Sequence, residues 1–335
     1  MLEILKKLTS LDGVSGMEKA VSDAVIAEID GFCEWETDNL GNIIAFKKGK
    51  NRSAKKLMVD AHLDEVGLII TDILESGFLK FKVVGGINTE SLLSRRVRIN
   101  GNLFGVVSSK PIHLLKKDAA SKLPDANGLY IDIGLSKKSE AEGIVSVGDR
   151  AVLLGDYYET EDKILSKALD DRIGCAILIE LLKNDSEYDF YATFTVQEEL
   201  GLRGARTAAF KVDPQSAIML EGTTAADIAD VAEESKVCVL GKGAAVSFMD
   251  RATVYDREYY NAALNSGIAC QAKRAVTGGN NSGAVHLNRE GVRSLAISVP
   301  CRYIHTAASV ADKNDIKAAY ELAVYMIDAI CSGKL

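Results

Sequence analysis

Between Val66 and about Tyr157 the texture of the chain changes, and that change restricts the fold more than any other feature. On either side, apolar runs of strand length alternate with longer helical patterns, the rhythm of an α/β layer. Inside it, the segments are short, alternating in polarity and punctuated by glycine. Phe78 to Val84, Val97 to Ile99, Leu103 to Val107, Tyr130 to Ile133 and Ala151 to Leu154 predict antiparallel strands of a barrel or sandwich. A polar stretch, Lys110 to Asn127, reads as an irregular loop within them. With 335 residues there is room for two domains. The expected organisation is a discontinuous α/β domain, residues 1–65 plus 158–335, with a β-rich domain of residues 66–157 inserted in it.

The flanking rhythm can be followed residue by residue. Leu2, Ile4, Leu5 and Leu8 make one helical stripe, and Val21, Ala24, Val25 and Ile29 make a second after the break at Asp12 to Gly16. Cys33 to Thr37 and Ile43 to Phe46 flank a turn and predict a hairpin. Leu57-Met58-Val59 is a short apolar strand that stops at Asp60-Ala61-His62-Leu63-Asp64-Glu65. Beyond the insert come strands at Asp189 to Val196, Ser216 to Leu220, Val237 to Leu240, Ala269 to Ala275 and Val292 to Val299. Helices are predicted at Ile173 to Leu182, Ala205 to Phe210, Asp256 to Ser266 and Asp315 to Ile330, with a short one before Leu287.

What stands at the strand ends carries the chemistry. His62 follows the first apolar strand, Glu198-Glu199 the next, Glu221 the third, and His305 lies just past the last. Open α/β sheets bind ligands beyond the carboxyl ends of their strands, so these side chains are directed to one rim. Asp170-Asp171 joins them from the start of a helix, where the macrodipole alone would favour acidic residues. Each group singly has an ordinary reading as a packed or solvated side chain. Yet the chain has only four histidines, and two of them stand at such positions. Together they read as a metal site: a bridging Asp170, two further carboxylates and two neutral imidazoles offset most of the charge of two divalent ions. Neighbouring Glu198 and Glu199 diverge along an extended chain, so one ligates and the other accepts a proton from water. Asp64 is placed either to fix the His62 tautomer or only to close the turn.

Composition removes other classes. A net charge of −7 without a basic tract argues against a nucleic-acid surface. The six cysteines are scattered, without C-x-x-C spacing, as expected of reduced thiols in a cytoplasmic protein. The first eight residues are too polar for a signal peptide, and no run approaches the ~20 apolar residues of a membrane span. A soluble cytoplasmic protein without membrane or nucleic-acid partners is expected.

Val59 to Gly67, Lys167-Ala168-Leu169-Asp170-Asp171-Arg172, Gln197 to Ala205 and Pro300-Cys301-Arg302-Tyr303-Ile304-His305 jointly resemble the M42 family of metallo-aminopeptidases. These are the tetrahedral aminopeptidases, glutamyl aminopeptidases among them, some members of which have been labelled endoglucanases. The resemblance implies a mixed-sheet, zinc-exopeptidase-like catalytic domain of phosphorylase/hydrolase-like type, carrying a PDZ-like dimerisation domain. It implies a homo-oligomer of dimers assembled into a dodecamer, and peptide substrates cut at the N-terminal residue. Two divalent ions per subunit are implied, zinc first, with cobalt or manganese as alternatives. By position, Asp170 resembles the bridging ligand, Glu199 and His305 complete one metal, and His62 and Glu221 the other. Glu198 matches the general base acting on a metal-activated water, Asp64 the His-orienting carboxylate, and the Asp170–Asp171 peptide is expected to be cis.

Two departures stand out. Many members carry Asp where this chain has Glu221, and the family's Gly-Gly-Thr-Asp appears here as Gly278-Gly279-Asn280-Asn281, which loses a carboxylate at Asn281. If that carboxylate receives the free amine of the peptide, substrate preference changes. Rival readings are a metal-dependent deacylase of small acyl-amino acids, a glycosidase, and an inactive shell-forming assembly. The glycosidase needs two carboxyls about 5–9.5 Å apart across a sugar, which adjacent Glu198 and Glu199 do not supply as a pair. His113 reads as solvent-exposed in its polar loop, His286 as packed or capping, Cys301 as a small buried neighbour, and Arg203 as either a support of the site or a turn cap, with Gly85-Gly86 and Gly241-Lys242-Gly243 as turns.

Overall fold

The computed structural model describes residues 1–114 and 126–335. The first strands are β1 (Glu34–Thr37), β2 (Ile43–Lys47) and β3 (Leu57–His62). The middle stretch adds β4 (Gly67–Ile73), β5 (Leu79–Val84), β6 (Arg96–Ile99), β7 (Leu103–Ser109), β8 (Leu129–Asp132) and β9 (Arg150–Leu153). Then come β10 (Tyr158–Glu159), β11 (Lys163–Ser166), β12 (Phe190–Thr195) and β13 (Ser216–Thr224). The last four are β14 (Ala244–Ser247), β15 (Cys270–Lys273), β16 (Arg293–Arg302) and β17 (Ser309–Asp312).

Eleven of these form one mixed sheet in the order β1-β2-β12-β3-β13-β16-β17-β11-β10, with β14 paired to β16 and β15 to β14. Its centre, β12-β3-β13-β16, is parallel. Side-chain alternation explains the layering. On β13, Ile218 and Leu220 enter the core under helices Leu2–Ser10, Lys19–Ile29, Leu169–Lys183 and Lys313–Cys331. Their neighbours Ala217 and Met219 enter the opposite core, under helix Arg203–Val212. A strand covered on both faces reads as a continuous apolar run, which is why Leu57-Met58-Val59 was legible as a strand. The structure extends β3 through His62, with all six residues buried.

The middle strands close into a separate barrel, β4-β5-β8-β7-β6-β9, around a core that includes Leu68, Ile70, Phe81, Val97, Val107 and Ile131. Antiparallel pairing of Leu68 with Ala151 seals it. Of the polar stretch Lys110 to Asn127, residues 115–125 lie outside the described residues.

Two features differ from the sequence reading. Val237 to Leu240 is not a strand: the Gln271 side chain accepts from Val239 N (2.9 Å) and donates to Val239 O (2.9 Å), replacing the ladder bonds a strand would supply. The strand in this region is β14, four residues further on. The helix expected from Ile173 is preceded by Asp170 and Asp171 in non-helical conformations, φ/ψ −85°/108° and −123°/39°.

Candidate metal centre

All four parallel central strands end on one rim. β3 places His62 beside the end of β12, in register with Thr195, and β13 places Glu221 in register with Ser298 of β16. Beyond β12 the backbone turns at Gln197, φ +56°, and presents Glu198 and Glu199. Beyond β16 it turns again at Tyr303 and His305, φ +58° and +60°. The Asp170–Asp171 peptide is cis. The structure thus brings His62, Asp170, Glu198, Glu199, Glu221 and His305 to a single cleft.

Asp170 lies between the two imidazoles. Its Oδ1 is 3.5 Å from His62 Nε2 and its Oδ2 is 3.4 Å from His305 Nε2. Glu199 Oε1 stands 3.1 Å from His305 Nε2, and Glu221 Oε2 stands 3.8 Å from His62 Nε2. Glu198 Oε2 is 4.0 Å from His62 Nε2. Ligand atoms held about 2.0–2.1 Å from a tetrahedral zinc are themselves about 3.4 Å apart, so these separations suit atoms that share an ion. Asp170 Oδ1 and Glu221 Oε1 are buried without any hydrogen-bond partner, which a protein tolerates where something else satisfies them. The residues present therefore fit divalent metal ions.

The electrostatics agree. Burial raises the Glu198 carboxyl to about 8, with the nearby Glu199 charge adding to it, and burial likewise holds Glu221 well above the usual range. Burial disfavours a charged His62, but the Asp170 and Asp64 carboxylates outweigh it and raise the imidazole well above its ordinary value. Against the same opposition from burial, Asp170 and Glu199 push His305 up to about 11. So many buried carboxylates create a field that calls for positive charge.

The supporting bonds set tautomers. His62 Nδ1 faces the Asp64 carbonyl oxygen at 3.1 Å and the Asp64 carboxylate at 3.4 Å. His305 Nδ1 faces the Gly86 carbonyl at 3.0 Å. With Nδ1 donating, both rings keep the Nε2 lone pair for the centre. Asp64, fully buried, accepts from Ser15 Oγ (2.6 Å) and from the backbone N–H groups of Glu198 (2.9 Å) and Glu199 (3.1 Å). It therefore holds the Glu198-Glu199 backbone as well as facing His62. Asp171 lies close enough to His62 and Glu221 to form a compact acidic group. Its oxygens already accept from His62 N (3.1 Å) and Gly174 N (2.9 Å), which makes it a support.

Sequence reasoning missed several participants. Ser15, the Glu18 carboxylate that accepts from Gln197 N (3.2 Å), and Gly86 from the barrel carry no motif. Asn281 is not where a peptide amine would meet it. Its Nδ2 donates to Asp60 (2.7 Å) and Thr195 Oγ1 (2.8 Å), and the residue is fully buried beside the sheet, whereas Gly278, Gly279 and Asn280 line the cleft. His113 is exposed, and His286 Nδ1 packs against Ser282 O at 2.6 Å.

The cleft beside the centre has a volume of about 950 Å³ and opens to solvent. A family model for M42 glutamyl aminopeptidases matches residues 41–322. A putative aminopeptidase of Acetivibrio thermocellus is 38% identical over 99% of this chain and 98% of its own. The lysyl aminopeptidase of Pyrococcus furiosus is 33% identical over 98% and 97%. Among solved structures, a TET1 peptidase of Pyrococcus horikoshii, described as assembling into a tetrahedron or a large octahedral shell, superposes with a TM-score of 0.83. That protein is 32% identical, over 98% of each chain.

Proposed function

The chain belongs to the M42 peptidase family and is an aminopeptidase, a hydrolase of peptide bonds, and from that premise we propose that it works with two divalent ions bridged by Asp170. His62 and Glu221 would hold one ion, and Glu199 and His305 the other, with zinc the first candidate and cobalt or manganese the alternatives. One observation carries this reading: the two oxygens of Asp170 face different imidazoles, at 3.5 and 3.4 Å. When bound, the ions supply Lewis-acid charge for the scissile carbonyl and for the attacking water.

This chain's own residues do the rest. Glu198, with its backbone N–H fixed by Asp64, reaches toward His62 on the cleft side. Its carboxylate takes a proton from the attacking water and gives it to the leaving amine. Asp64 and the Gly86 carbonyl keep the two imidazoles in the ligating tautomer. We assign residues 1–65 and 158–335 to the catalytic domain and residues 66–157 to an inserted, β-rich, PDZ-like dimerisation domain. Exposed Phe104 and Val106 on β7 supply an apolar patch for that contact. Dimers would then build a dodecamer, by analogy with the shell-forming TET1 peptidase, in the cytoplasm. Two features support that setting: the six cysteines are free, and no helix among the described residues is long and apolar enough to cross a membrane.

Glu198→Gln tests the assignment. It removes the proton acceptor but none of the five ligands, so metal content should stay at two ions per chain while kcat falls about 10²- to 10⁴-fold. Near-native turnover in that variant overturns the role of Glu198, and fewer than two ions in native protein overturns the two-ion site.

A further inference from the structure

Two stretches of the cleft wall come from turns rather than strands: Arg251-Ala252 and Thr277-Gly278-Gly279-Asn280. The first is closed by its own aspartate. Asp250 Oδ1 accepts from Ala252 N and Thr253 N, both at 2.8 Å, and Asp250 N donates to Thr253 O at 2.9 Å. The second has no such closure at its tip. Gly278 has φ +75°, and on neither Gly278 nor Gly279 would a Cβ meet an atom within 4 Å. Gly279 is exposed and makes no hydrogen bond with another described residue, so its N–H and C=O are available to a main chain in the cleft. Paired glycines carry more backbone freedom than other residues, and a wall made of them needs anchors.

Two anchors join this turn to the first. Arg251 N donates to Gly278 O at 2.9 Å, and a buried relay of side chains runs behind it. The Tyr255 hydroxyl donates to Asp250 Oδ2 at 2.5 Å, and Asn280 Nδ2 donates to the Tyr255 oxygen at 2.9 Å. Asn280 Oδ1 accepts from Ser282 N at 2.8 Å, so its amide stands only one way round. Asp250, Tyr255 and Asn280 are all buried. Burial holds the Tyr255 hydroxyl well above its usual range, with the Asp250 charge adding to that, so it stays protonated and donating. None of the three hydrogen-bonds to a proposed metal ligand or to Glu198.

We propose that Asp250, Tyr255 and Asn280 form a positioning strut, which fixes the Gly278-Gly279 backbone as the edge along which the main chain of a bound peptide is held. The inference rests on the aminopeptidase reading and adds to it a determinant of substrate binding separate from the ions. Glycines at that edge leave room for another backbone to approach closely, which side chains would bar. The strut supplies the rigidity that the glycines lack.

Tyr255→Phe keeps the buried ring and removes the hydroxyl, and Asn280→Ala releases the strut at its other end. Both are assayed at a temperature where calorimetry shows them folded. In each, KM for a tripeptide should rise about three- to tenfold, because the wall spends less time in its binding form. kcat should stay within about twofold and metal content should match native protein, a split that a general loss of packing does not produce. The two losses should not add: KM of the double variant should match that of Asn280→Ala within about twofold, since Tyr255 acts only through Asn280. Calorimetric titration with a tripeptide whose first amide is reduced to CH₂–NH, and so cannot be hydrolysed, gives the same comparison without turnover. If native enzyme cleaves no peptide the aminopeptidase reading fails, while a Tyr255-dependent affinity for the reduced peptide still upholds the strut. Unchanged KM and affinity in Tyr255→Phe, a rise accompanied by lost metal or lower kcat, or losses that multiply in the double variant, overturn it.

Discussion

Asp64→Asn isolates the residue that joins the two halves of the centre. The carboxylate is fully buried, its Oδ1 accepts from Glu198 N, and its Oδ2 accepts from Glu199 N and Ser15 Oγ. An asparagine keeps the shape but turns one oxygen into a donor. The Ser15 hydroxyl can reverse and accept, but a backbone N–H cannot. Whichever way the amide is turned, one of the two N–H groups faces an NH₂ and loses its partner. A hydrogen bond to a charged group is worth roughly 1.5–3 kcal/mol, and that is the expected loss of stability. For a 335-residue chain the unfolding entropy is roughly 0.7 kcal/mol per degree, so the melting temperature should fall by about 2–4 °C.

The same displaced backbone carries Glu198 and Glu199, so the damage reaches function. The ion assigned to Glu199 and His305 should bind roughly ten- to a hundredfold more weakly, as for other losses of support behind a ligand. Turnover should drop even in saturating metal, because Glu198 no longer stands at its proton. Scanning calorimetry, metal titration against a competing chelator and kcat on an aminoacyl-anilide measure the three effects. A melting temperature within about 1 °C of native, with metal affinity within about twofold, would refute the reasoning.

Two further outcomes follow from the geometry. Complete chelation should abolish hydrolysis and lower the melting temperature, because Asp170, Glu221 and Glu198 are buried together, and added zinc, cobalt or manganese should restore both; activity that survives metal removal overturns the two-ion reading. Gly174→Ala would normally stabilise a helix by about 1 kcal/mol, but here the new Cβ falls 2.4 Å from Asp171 Oδ2, so a loss of about 1–3 kcal/mol is expected, and a gain in denaturant midpoint contradicts the packing.

The strands that carry ligands were legible because their apolar runs are buried on both sheet faces and stop abruptly at a polar rim. β4, β10, β11, β14 and β17 were not read from the sequence. β10 is two exposed residues, Tyr158 and Glu159, and β17 opens on Ser309, so neither offers the periodicity that marks a strand. Four of the five proposed ligands were marked by position at strand ends, and Asp170 by its place at a helix start. Their supports were hidden for a different reason. Asp64 meets Glu198 and Glu199 across 134 and 135 residues, and Ser15 meets Asp64 across 49, and no local pattern records such contacts. Val237 to Leu240 failed in the opposite direction: it is apolar enough for a strand, but the Gln271 side chain takes the bonds a neighbour would have made.

The barrel reaches into the centre, and that contact can be tested apart from any role in assembly. Gly86 follows β5, and its carbonyl takes the Nδ1 proton of His305, while Asn88 lines the cleft. A Cβ on Gly86 would stand 3.2 Å from His305 Nδ1 and 3.6 Å from Cε1. Gly86 does not adopt a positive φ, unlike Gly85 at +82°, so an alanine there adds crowding without backbone strain. The ring must then give by a few tenths of an ångström, and with it the Nε2 that faces Asp170 and Glu199. Gly86→Ala should fold, keep the barrel and keep its oligomeric state, yet bind the ion assigned to Glu199 and His305 about tenfold less tightly. Metal titration on native-sized assemblies reads this directly. Unchanged affinity would mean that His305 is positioned by its own loop, and that the barrel's role ends at the interface.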